Sequence, residues 1–114
     1  MEKYKTPNPL PTPFEAELLI ILMEECAEVQ KNAAKMLRFG VEDAQPGQNL
    51  TNRERLSLEV ADVLAVLKVC VGAGLVEDQH GEAIYARMGV KLDKLQRYMQ
   101  HGSPKDLVGI YWRD

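Results

Sequence analysis

Five carboxylates at helical spacing are the residues of this chain best suited to chemistry. Glu24, Glu25 and Glu28 stand in LLIILMEECAEVQKNAAKML, and Glu59 and Asp62 stand in RLSLEVADVLAVLKVC. A helix advances about 100° per residue, so with Leu22 at zero Glu25 falls roughly 60° away, inside the apolar arc, and Glu28 roughly 120° away, at its edge. Glu24 points roughly to the opposite side. On the second stretch, with Val63 at zero, Glu59 falls roughly 40° off and Asp62 roughly 100° off, on one flank. Each stretch therefore carries an i, i+3 acid pair with one member where a core residue belongs. Burying a charge is costly unless it is paired or holds a metal. Neither apolar stripe offers a basic residue beside its acids, so divalent cations are the better counter-charge. All-oxygen ligands suit Mg²⁺ or Mn²⁺.

Two long amphipathic helices must position these acids. Leu18, Leu22, Cys26, Val29, Ala33 and Met36 form one apolar side, and Leu56, Val60, Val63, Val66, Leu67 and Cys70 form the other. Thr12, Pro13 and Glu15 make a capping box with Pro at the first helical position, which predicts a helix from Pro13 to Phe39 stopped by Gly40. Thr51 with Glu54 makes a second capping box, and that helix should run to Val71, ended by Gly72 and Gly74. Residues 40–50 read as a loop with a Pro46-Gly47 turn. A loop of this length favours an antiparallel pair with the acids facing each other.

A third helix is expected from Gln79 to Gln100, with Ile84, Met88, Leu92, Leu95 and Met99 as its stripe. Arg87, Lys91 and Lys94 lie along one flank of it, as either a solvated basic face or a set of phosphate contacts beside the metals. The first twelve residues, with alternating prolines, should be an extended arm. Residues 103–114 are too apolar for a free tail and should form a short C-terminal helix docked on the domain or across a subunit interface. Cys26 and Cys70 read as buried thiols. His80 and His101 read as surface residues.

At 114 residues the chain is expected to be a single all-α domain, a bundle of three long helices. A hydrophobic content of 46% with 27% charged residues excludes a disordered chain. A net charge of −3 disfavours a nucleic-acid polymer as partner. There is no apolar run long enough for a membrane span and no signal-peptide core, so a cytoplasmic location is expected.

The pattern Glu24-Glu25-x-x-Glu28 followed by Glu59-x-x-Asp62 resembles the EExxE…ExxD signature of the MazG-type all-α nucleotide pyrophosphohydrolases, over roughly residues 15–71. The resemblance implies a helical bundle completed by oligomerisation. It implies Mg²⁺ held by Glu25, Glu28, Glu59 and Asp62, and cleavage of a nucleoside triphosphate between its α- and β-phosphates. The residues add that one acid, Glu24 or Glu28, would accept the proton of the attacking water. Lys91 resembles the family's basic position on the following helix, and Leu95 stands where the family often carries Asn.

Two other readings stay open, and a third is disfavoured. A phosphoribosyl-ATP pyrophosphohydrolase shares the acid signature. A non-catalytic helical oligomer would use the same faces for binding alone. A ferritin-like di-iron protein would want Glu-x-x-His pairs, which these helices lack. A homodimer or homotetramer is expected, with the apolar faces of helices two and three at its interface.

Overall fold

A computed structural model describes residues 9–104. The chain divides into two compact units, Met1–Val76 and Glu77–Asp114. The described residues are all-helical apart from turns and one isolated bridge. Most of the Pro-rich arm and of the C-terminal tail, including the expected short helix, lies outside the described residues.

The first unit is a helical hairpin. Helix α1 spans Pro13–Phe39. Its capping box forms as the sequence demands: Thr12 N–H donates to Glu15 Oε1 at 2.8 Å, and Glu15 N–H donates to Thr12 Oγ1 at 3.2 Å. Gly40 ends the helix at φ 100°, a backbone region closed to most side chains, while its N–H still reaches Met36 O. Pro46 and Gly47 then turn the chain, with Gly47 at φ 78° and Gln48 N–H bonded to Gln45 O at 2.9 Å. Pro followed by a positive-φ Gly is the signature of a type II turn.

Three hydrogen bonds tie the start of the next helix to the end of α1. Asn52 N–H donates to Asp43 O, Arg53 N–H to Val41 O, and the Asn52 side-chain amide to Gly40 O at 2.8 Å. An Arg53–Glu42 ion pair and the Ala44–Thr51 bridge close the same loop. Helix α2, Asn52–Gly72, therefore begins beside the end of α1 and packs back along it. Its own capping box uses Thr51 and Glu54. At the other end Leu75 N–H reaches Cys70 O, and Gly74 N–H reaches Val71 O with Gly74 at φ 78°, a Schellman closure. Gly72 thus stays helical and Gly74 alone stops α2.

Two packed helices can cover only one stripe of each other. In this hairpin Leu18 and Cys70 are the buried apolar side chains, and Asn32 and Asn52 are buried polar ones. Most of each apolar arc is half-buried, and apolar side chains on its flanks stay open: Met23 is 70% exposed and Leu64 50%. Cys26 departs from expectation for this reason. It is exposed and lines an apolar groove with Val29, Val60, Val63 and Leu64.

The second unit contains α3, Glu82–Tyr98, shorter at both ends than expected. Asp78 Oδ1 accepts from His80 N–H, and Asp78 O accepts from Gly81 N–H, so a turn takes the residues before the helix. Ile84, Leu92 and Leu95 are half-buried, while Met88 and Met99 are exposed. His80 and His101 are exposed, as their positions suggested. Among the described residues no helix is long and apolar enough to cross a membrane.

Candidate metal centre

Glu25 reaches across from α1 to Glu59 and Asp62 on α2, and one carboxylate oxygen from each lies within 4.8 Å of the others. The hairpin makes this possible. Glu59 and Asp62 are neighbours at i, i+3 on one helix, and the packing of α1 against α2 brings Glu25 over them. Glu25 and Glu59 are half-buried and Asp62 is exposed.

The electrostatics of this trio are unfavourable without a counter-charge. Partial burial, then the carboxylates of Asp62, Glu59, Glu28 and Glu24 in that order, push the Glu25 carboxyl above its ordinary range. Withdrawal from water disfavours the charged form, and like charges add to it. Among the described residues no Lys, Arg or His forms an ion pair with Glu25, Glu59 or Asp62.

Glu28 stands outside this trio. It is half-buried one turn after Glu25, close enough to raise the Glu25 pKa. Its backbone carbonyl accepts from the Asn32 side chain at 2.9 Å. Glu24 is exposed. Arg87, Lys91 and Lys94 are exposed on α3, in the other unit.

Two further polar residues belong to this hairpin and were not singled out by the acid pattern. Asn32 is 4% exposed and sits seven residues after Glu25, so it continues the acid flank of α1. Arg55 precedes Glu59 by four residues, which qualifies the expectation that no base stands beside the acids. Its guanidinium Nη1 donates to Gln48 Oε1 in the loop. The spacing to Glu59 is readable in the sequence, whereas the partner in the loop is not.

The donor set fits a hard divalent cation. Three carboxylates contributed by two helices, all oxygen, one of them held above its usual pKa by partial burial and then by its neighbours, make a place where positive charge is welcome. No protein-family model matches the chain, and no characterised protein or solved structure is significantly similar to it.

Proposed function

We propose that this chain is a Mg²⁺-dependent nucleotide pyrophosphohydrolase, with Mn²⁺ as a possible substitute, that converts (d)NTPs to (d)NMPs and pyrophosphate. The convergence of Glu25, Glu59 and Asp62 carries the reading. Those three, with Glu28 beside them, would hold the metal. Bound Mg²⁺ supplies neutralisation of triphosphate charge and a lowered pKa for a nearby water.

The chain's own acids do the rest. Glu24 or Glu28 accepts a proton as the water oxygen attacks the α-phosphorus. The bond from that phosphorus to the α–β bridging oxygen breaks, and its electron pair leaves with pyrophosphate. Arg87, Lys91 and Lys94 are assigned to phosphate contacts. Phosphoryl transfer of this kind needs positioning and electrostatic stabilisation more than covalent help.

A homodimer or homotetramer is part of the same proposal. It is supported by the exposed side chains of Ile20, Met23, Leu58, Val60 and Leu64 on the hairpin. The same surface favours, as a second reading, a helical binding module without catalysis. We assign the chain to the cytoplasm, where free nucleotides are found.

Pyrophosphate release from a panel of (d)NTPs, with Mg²⁺, Mn²⁺ or EDTA, tests the proposal. Metal-dependent pyrophosphate with monophosphate as co-product supports it. Orthophosphate release refutes α–β cleavage. No turnover and no metal binding leave the binding module.

A further inference from the structure

Arg55 shares a flank of α2 with the acids it precedes. Steps of four and seven residues at about 100° each leave it roughly 40° from Glu59 and 20° from Asp62 around the helix. Cβ atoms four residues apart lie about 5–6 Å from each other, within reach of an ion pair. Among the described residues Arg55 forms none. Its Nη1 donates to the neutral side chain of Gln48, and its Nε is buried without a hydrogen-bond partner. The side chain is half-buried, and among the described residues no carboxylate pairs with it.

A buried donor without a partner marks a network that something else completes. The group that fits is a multiply charged anion that also chelates a cation. Its metal-bound end would sit at Glu25, Glu59 and Asp62, and its far end would sit one helical turn away, about 6 Å along the axis. A chain of two or three phosphates spans that distance. A planar guanidinium grips phosphate oxygens through paired donors.

Building on the pyrophosphohydrolase reading, we infer that Arg55 binds the β- and γ-phosphates of the substrate and holds the departing pyrophosphate. When the α–β bond breaks, the electron pair stays on pyrophosphate. The added charge develops where the guanidinium already stands, the arrangement that favours a transition state over a ground state. Arg55 lies on the same hairpin as the acids, whereas Arg87, Lys91 and Lys94 are on α3.

The probe is inorganic pyrophosphate with Mg²⁺, titrated calorimetrically into the full-length protein. Wild type is expected to bind it, and Arg55→Gln to bind it roughly 10- to 100-fold more weakly, the scale of one charge-assisted contact. Arg55→Lys should recover part of the loss. Mg²⁺ alone should bind both proteins equally. Because Arg55 also braces the loop, circular dichroism is read on every variant, and Gln48→Ala removes the brace without the charge. Gln48→Ala is expected to weaken pyrophosphate by no more than about threefold. A loss equal to that of Arg55→Gln makes Arg55 a structural brace and overturns the inference. So does unchanged affinity in Arg55→Gln, or no pyrophosphate binding by wild type. Arg55-dependent pyrophosphate binding without turnover of any triphosphate keeps Arg55 as a polyphosphate ligand and refutes the hydrolase reading. Turnover in Arg55→Gln with both kcat and KM at the wild-type value does the reverse.

Discussion

Glu54 and Glu25 are the same residue type on packed helices, and their surroundings treat them in opposite ways. Glu54 closes a capping box, where the backbone N–H and the hydroxyl of Thr51 both donate to its Oε1 at 3.1 Å. Those bonds hold its carboxyl below the usual range. Glu25 has four acids for neighbours and is held above that range. The first carboxylate is fully answered by its own helix end. The second is left unanswered by the chain, and that deficit is what a cation would fill. A carboxylate that the fold does not satisfy is a better pointer to function than one that it does.

The sharpest way to break this contrast is to neutralise the unanswered acid. Glu25→Gln or Asp62→Asn is expected to lower Mg²⁺-dependent pyrophosphate release by about 100-fold or more, read in a steady-state assay. Mg²⁺ is expected to raise the melting temperature of wild type, and Glu25→Gln should abolish that rise. Full turnover in either variant would remove the metal assignment.

A smaller effect is expected at the answered acid. Thr51→Ala removes the capping hydroxyl but keeps the backbone donor to Glu54, and should cost about 1 kcal/mol in chemical denaturation, with Mg²⁺ affinity unchanged.

The two carboxylates also give opposite signs with pH. Glu25 has its folded pKa raised, so between the unfolded and folded values the native state binds more protons. Stability of the metal-free protein therefore falls as pH rises through that window. Glu54 has its folded pKa lowered, so its contribution is present above the unfolded value and is lost as pH falls through the folded one. Thermal melts of metal-free wild type and Glu25→Gln across mildly acid to neutral pH should show the downward slope in the first and a flatter line in the second. The slope should shrink as salt screens the cluster, since the Debye length is about 8 Å at physiological ionic strength. A steeper slope in Glu25→Gln would contradict the assignment.

Much of the hairpin was legible because it is written in local signals. Thr12-Pro13-x-Glu15 and Gly40 delimit α1, and Thr51-x-x-Glu54 opens α2, because caps involve residues within one turn. The meeting of Glu25 with Glu59 and Asp62 was legible from period alone, since both pairs fall on the flank each helix turns to the other. Glu28 shares that period and yet stays outside the trio, because angle around a helix does not specify where a flexible side chain ends. The open position of Cys26 was not legible either. A wide apolar arc says that a side chain wants cover, but not whether one partner helix is enough to provide it. The Arg55–Gln48 bond joins a helix to a loop with no periodicity, and the shortening of α3 depends on Asp78 capturing the backbone of His80 and Gly81.

The short tether between the helices has a consequence for the birth of the protein. Every residue of the acid cluster lies between positions 25 and 62, and Asn52, Asp43 and Gly40 clip the helices together across a dozen residues. Contacts so near in sequence form early, since closing a loop of about ten residues takes only about 10–100 ns. A ribosome adding about 5–20 residues per second needs seconds to complete the unit that begins at Glu77. The nascent hairpin can thus gather its carboxylates before the second unit has formed.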